Sequence, residues 1–263
     1  MSDTSVALAV ETIISEYIKK QKPQYLVLAF DIEGIGQYKD NAIIEIGVCV
    51  VAPYPSLIKV DSYSYSEFRS EPAYKDYFIF EDRCKIDFWD KNKDILDAIE
   101  KNTNKAIDVE ESRRRMIDGF VSIVEKWEAL SNKYSIPLFR TTDNKVYDPA
   151  KLNLMIEQYL PGKPTFPYTF LTGKWASLPE THSIQLGILL AHFGKEFIYK
   201  SSGLTRAIEN RFNVKYPEEI VISHDHRSVN DAYTIARELC VCFAIAEGTI
   251  TYKEDKKKLF IKH

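Results

Sequence analysis

Four carboxylates and one histidine set the chemistry this chain could do. They are Asp31 and Glu33 in FDIEG, Asp148 in VYDPAKL, and His226 with Asp231 in HRSVNDA. Carboxylate oxygens are the ligands of hard divalent cations such as Mg²⁺ and Mn²⁺. Histidine titrates near neutral pH and is suited to take a proton from a water beside such cations. Gathered in one cleft, the five side chains would form a site for two divalent cations with a base beside it, a constellation that hydrolyses phosphodiester bonds. Left apart, they would be ordinary surface acids.

Each member also has a plain local reading. Asp31 and Glu33, at i and i+2, point to one face of a strand. There they repel each other and lose hydration, costs that a cation between them removes; equally, the strand could simply end and leave both solvated. Asp148 precedes Pro149, and Asp before Pro reads as an N-cap with proline at N1. A carboxylate at a strand–helix junction also points off the sheet end, where open α/β sheets bind ligands. Asp143 in RTTDNK is a rival nearer the strand. Ser228 and Asp231 have capping-box spacing, which would leave His226 as a loop histidine with His224 as its competitor.

Hydrophobic periodicity places these residues on elements. Val6, Val10, Ile13, Ile14 and Tyr17 predict an amphipathic helix over 4–21, ended by Lys22 and Pro23. YLVLAFD (25–31) and AIIEIGVCVV (42–51) read as strands joined in an antiparallel hairpin, with SLIKVDSYSYSEF (56–68) as a third. Residues 70–110 carry Tyr74, Tyr77, Phe78, Phe80, Phe88 and Trp89, and read as a packed loop followed by a helix near 90–101. Met116, Phe120, Ile123, Val124, Trp127 and Leu130 predict a helix over 109–133. Strands near 136–141 and 168–171 alternate with helices at 149–160, 182–193, 204–212 and 229–247. That order argues a mixed sheet flanked by helices.

The chain has 263 residues, 45% hydrophobic and 13% aromatic, enough for one large domain or a domain with an insertion. A net charge of -3 and a pI near 6.0 exclude a global basic field, so polyanion binding would rest on local patches and metal ions. The basic runs Arg113–Arg114–Arg115 and Lys256–Lys257–Lys258 read as a solvated face and a solubilising tail, with phosphate tracking as the alternative. Tyr63, Tyr65 and Phe68 could stack on bases or pack the sheet. Cys49, Cys84, Cys240 and Cys242 read as reduced core thiols, because residues i and i+2 on a helix do not face each other. The first residues lack the basic region of a signal peptide, and no apolar run is long enough to span a bilayer. A soluble intracellular protein, cytoplasmic or nuclear and with no membrane partner, is expected.

Taken in this order, the blocks resemble the DEDDh exonucleases, the DnaQ-like branch of the RNase H-like superfamily. LVLAFDIEGIG followed by NAIIEIGVCVV is similar to that family's first motif and second strand. HDHRSVNDAYTIA is similar to its final motif, with His226, Asp231 and the small Ala232 in register, while VYDPAKL matches at Asp148 and the aromatic before it. The likeness spans about residues 25–247. There are two departures: Gly34 stands where many members carry Thr, and LFRTT lacks the His-Asn or similar pair that usually precedes the middle acid.

The resemblance implies an α/β, RNase H-like exonuclease fold with a mixed, mostly five-stranded sheet flanked by helices. It implies a single exonuclease domain over 1–263, with a helical extension at 1–22, an elaboration at 53–110 and a basic tail at 252–263. The implied activity is 3′→5′ removal of nucleoside 5′-monophosphates from DNA or RNA, acting on single-stranded nucleic acid or on the 3′ ends of duplexes. Asp31 would bridge two Mg²⁺ or Mn²⁺ ions, with Glu33, Asp148 and Asp231 completing their shells and His226 as general base. Gly34 and Ile35 would hold the terminal nucleotide. Two other functions fit the same residues: a non-catalytic module binding nucleic acid or protein, and an oligonucleotidase restricted to very short substrates.

Overall fold

The computed structural model describes residues 3–36, 42–144, 147–163, 180–193, 203–217 and 225–253. The continuously apolar run over 26–30 opens the central strand β1 (Leu26–Gly34), as expected of a strand covered on both faces. It pairs antiparallel with β2 (Ile43–Val51), which pairs antiparallel with β3 (Lys59–Ser66). On its other side β1 pairs parallel with the short β4 (Leu138–Thr141). The sheet order is β3-β2-β1-β4, so among the described residues the mixed sheet has four strands and not five. The strand expected at 168–171 lies outside the described residues. A parallel bridge from Thr142 to Glu180 continues the sheet edge beyond β4.

The helices are α1 (Asp3–Gln21), α2 (Lys93–Asn102), α3 (Val109–Tyr134), α4 (Tyr147–Tyr159), α5 (Thr181–Phe193), α6 (Leu204–Arg211) and α7 (Ser228–Ala246). Alternation along β1 and β2 decides which helix lies where. Leu28, Phe30, Val48 and Val50 face α3 and bury against Met116, Phe120, Val124 and Trp127, joined by Leu152 and Ile156 of α4 and Ile14 and Ile18 of α1. Within α1, Ile13 is 65% exposed and Ile18 takes its expected place in the core. Val27, Ala29, Cys49 and Val51 face α7, where Ala232, Ala236 and Cys240 let the helix lie close. Burying each larger aliphatic side chain contributes roughly 1.5–3 kcal/mol.

A third cluster, Ile35, Ile44, Phe68, Phe78, Trp89, Ile99 and Val109, fixes the segment between β3 and α3 to the end of the sheet. Within that segment a turn of helix at Asp82–Cys84 runs into a π-helical turn, Lys85–Trp89. The cysteines are free thiols, with Cys49, Cys240 and Cys242 buried and Cys84 partly so. Among the described residues no helix is long and apolar enough to cross a membrane.

Candidate active site

The alternation that sorts the core also builds the site. On the α7 face of β1 the sequence runs Val27, Ala29, Asp31, Glu33, so the apolar stripe gives way to two acids at the strand's end. Across the ladder Asp31 faces Gly47, and Glu33 faces Glu45. A Cβ on Gly47 would lie 2.1 Å from backbone atoms of Ser228 and Val229, so the first residues of α7 rest directly on the bare glycine. Glu45, 1% exposed, accepts from the Ser228 N–H at 2.9 Å and from Arg227 Nη2 at 2.5 Å and Nε at 3.1 Å. Ser66 Oγ donates to the same carboxylate at 2.9 Å.

Glu45 thus takes the work expected of a capping box. The N-cap residue of α7 is Arg227, with no side-chain cap, and Ser228 sits inside the helix. Asp231, in the first turn and 3% exposed, is left to face the cluster. Just before the helix, the Asp225 carboxylate accepts from the Arg227 N–H at 3.2 Å and from Asn230 Nδ2 at 2.8 Å. His226 lies inside this brace with φ +53°.

Asp148 is also not the cap it resembled. Helix α4 begins at Tyr147, and Asn144 satisfies its start: Asn144 Oδ1 accepts from the Tyr147 N–H at 3.1 Å, and its carbonyl accepts from the Asp148 N–H at 3.1 Å. Asp148 is then 2% exposed, with the Thr142 hydroxyl donating to its Oδ2.

Two trios result. Carboxylate oxygens of Asp31, Asp143 and Asp148 lie within 4.8 Å of one another, as do the ligand atoms of Glu33, His226 and Asp231. The rivals Asp143 and Asp148 are therefore both beside Asp31, while His224 lies outside the described residues. Burial pushes the Asp31 carboxyl well above its ordinary pKa, and Glu33, Asp148, Asp143 and Asp231 push it further. Glu33 is raised by burial and then by Asp231, Glu45, Asp148 and Asp143, so the two trios form one electrostatic unit. Asp148 is raised by burial and by Asp143, against the pull of the Thr142 hydroxyl and the Lys151 ammonium. At an effective dielectric of about 20, two like charges about 4 Å apart repel by roughly 4 kcal/mol. These acids must therefore hold protons or cations, and an all-oxygen set with one imidazole suits hard divalent ions.

Gly34 and Ile35 occupy different surroundings. The Gly34 carbonyl accepts from Trp89 Nε1 at 3.1 Å, and a Cβ there would meet the Tyr147 hydroxyl at 2.5 Å. That hydroxyl fills the space a threonine would need. The Ile35 side chain is wholly enclosed in the third core cluster, and its N–H donates to the Ala42 carbonyl at 3.2 Å. From Ile43, the partner of Gly34, a cavity of about 790 Å³ runs along α4, lined by Lys151, Tyr77, Arg113 and Tyr159.

The other candidate contacts are structural. Tyr63 Oη donates to the Met116 carbonyl at 2.9 Å, Tyr65 Oη bonds Ser112 Oγ at 3.2 Å, and Phe68 packs edge-on against Phe78. Arg114 and Arg115 pair with Glu111, and Arg113 Nη2 donates to the Tyr77 carbonyl at 2.8 Å. Lys256, Lys257 and Lys258 lie outside the described residues.

No protein-family model matches the sequence, and no curated protein matches it. Among solved structures, one described as "crystal structure of full-length 3'-exonuclease" aligns with a TM-score of 0.37 and 14% identity, over 86% of this chain and 84% of its own.

Glu45 and Gly47 are the positioning residues that motif reading passed over, and both carried a signal. An acid and a glycine inside the apolar run AIIEIGVCVV break a buried strand's pattern, and glycine there marks a close backbone approach. Thr142, Asp225 and Lys151 gave none: they act on near neighbours in sequence, and a Thr, Asp or Lys beside a helix start carries no mark of which neighbour it will hold.

Proposed function

We propose that this chain is a divalent-metal-dependent nuclease, a 3′→5′ exonuclease that releases nucleoside 5′-monophosphates from DNA or RNA. The observation that carries the reading is the convergence of the Asp31–Asp143–Asp148 and Glu33–His226–Asp231 trios at one end of the sheet. The direction of attack follows the likeness of the FDIEG and HRSVNDA blocks to DEDDh motifs.

Asp31, which feels acids of both trios, would hold two Mg²⁺ or Mn²⁺ ions together with Glu33, Asp148 and Asp231, with Asp143 as a further oxygen donor. When bound, such ions acidify the attacking water and stabilise the departing 3′ oxygen. His226 takes the proton from that water, since it is the group in the cluster with a basic nitrogen. Glu45 and Gly47 hold the start of α7 against the sheet, so that Asp231 and His226 meet the acids of β1. Lys151, one turn along α4 from Asp148, is buried with its ammonium over the Tyr147 ring at 4.9 Å and pulls the Asp148 pKa down. Residues 1–263 act as one catalytic unit in this reading, with α1 joined to the core through Ile14 and Ile18.

The test is hydrolysis of end-labelled single- and double-stranded DNA and RNA by the purified chain, with Mn²⁺ and with EDTA. Stepwise shortening from the 3′ end, lost with EDTA, is expected. Stable binding of the same oligonucleotides without shortening would instead establish a non-catalytic module.

A further inference from the structure

We propose that Phe88 is a positioning residue for His226, supplied by the segment between β3 and α3. The role rests on the nuclease reading above. The Phe88 ring stands 4.8 Å from the imidazole, with the planes at 88°. Edge-to-face ring contacts favour one mutual orientation. The backbone at His226 is set separately: φ is +53°, a conformation uncommon outside glycine, and the Asp225 carboxylate braces both sides of it. The brace acts on the backbone, and the Phe88 contact acts on the ring itself. Phe88 contacts the imidazole that shares a trio with the carboxylates of Glu33 and Asp231.

Phe88 is itself held. It sits in the π-helical turn Lys85–Trp89, closed by the Asp90 N–H donating to the Lys85 carbonyl at 2.8 Å. Trp89 is buried in the third core cluster and donates Nε1 to the Gly34 carbonyl at 3.1 Å. Phe88 rests edge-on against Trp89 at 4.8 Å, and its carbonyl accepts from Asn92 Nδ2 at 2.9 Å. One turn therefore touches the end of β1 on one side and the candidate base on the other. Residues 53–110 lie apart from the blocks that carry the acids and the histidine, so the elaboration completes the site rather than decorating it.

The experiment compares kcat and KM on a labelled oligonucleotide with Mn²⁺ for full-length wild type, Phe88→Ala, Phe88→Leu, Phe88→Tyr, His226→Ala and the Phe88→Ala/His226→Ala double variant. Phe88→Ala and Phe88→Leu should lower kcat by about tenfold, the scale of losing a group that orients a functional histidine. KM and the Mn²⁺-induced thermal shift should be unchanged, and Phe88→Tyr should restore kcat. In the His226→Ala background, Phe88→Ala should cost nothing further, because the two act as one unit. If Phe88→Ala does not melt cooperatively, Phe88→Leu in both backgrounds supplies the same comparison. The proposal is overturned if the loss is as large without His226 as with it, if the Mn²⁺ shift disappears, or if Phe88→Leu keeps wild-type kcat. A wild-type chain that hydrolyses no oligonucleotide removes the nuclease reading and the role of Phe88 with it.

Discussion

Asp31 sits directly across the β1–β2 ladder from Gly47, and the absence of a side chain at Gly47 is what lets the start of α7 reach Asp31's end of the sheet. The same two strands pair Glu33 with Glu45, whose carboxylate receives the Arg227 side chain and the Ser228 N–H. One β-ladder therefore carries two acids of the cluster on β1, and on β2 the seat and the clamp for the helix that brings a third.

Gly47→Ala tests the seat. Its Cβ would sit 2.1 Å from helix backbone, not from a flexible side-chain end, so α7 must shift. The expected cost is about 1–3 kcal/mol in urea unfolding, with activity falling by more than the folded fraction accounts for. Wild-type stability together with wild-type turnover would show that the close approach does not matter.

The cluster gives a pH signature without metal. Burial and mutual repulsion raise Asp31, Glu33 and Asp148, so the folded state holds more protons than the unfolded chain above ordinary carboxylate values of about 4. Their contribution to stability is complete below that pH and is lost as pH rises through the raised values. Chelator-treated protein should therefore lose melting temperature from mildly acidic to mildly alkaline pH, and Asp31→Asn should flatten the fall. Saturating Mn²⁺ should restore stability most at the alkaline end, by about 2.7 kcal/mol at a hundredfold excess over Kd. A metal-free melting temperature that climbs over this range would contradict the crowding of buried acids.

Asp148→Asn should weaken Mn²⁺ binding more than Asp143→Asn. Asp148 is the more buried and is fixed by the Thr142 hydroxyl. Calorimetric titration of Mn²⁺ into both variants checks the order. Equal affinities would assign the two acids equal weight.

His226→Ala should lower kcat by about 10²–10⁴-fold, the usual range for a general base, while leaving the Mn²⁺-induced thermal shift in place. Loss of metal binding in step with kcat would make His226 a ligand rather than a base.

Much of this architecture was legible in the sequence where periodicity was strong. The β1–β2 hairpin, the 26-residue α3 and the long α7 follow directly from apolar spacing. Local cap signals misled. The acids of VYDPAKL and HRSVNDA had the right spacing to close their own helices, but Asn144 and Glu45 do that work from elsewhere and leave Asp148 and Asp231 for the cluster. A capping carboxylate and a site carboxylate look identical in one dimension, because the competing hydrogen-bond donor or acceptor can come from a strand nearly two hundred residues away, as Glu45 does to Ser228. The tyrosines of β3 were equally ambiguous until α3 covered them.

If Asp31 joins the two trios into one hydrolytic site, removing its carboxylate stops turnover. The direct measurement is turnover of a 5′-labelled single-stranded oligonucleotide with Mn²⁺ by wild type and by folded Asp31→Ala, each checked for a cooperative melt. Stepwise 3′ shortening by wild type and almost none by Asp31→Ala is the expected result. Equal turnover by the two proteins would contradict it.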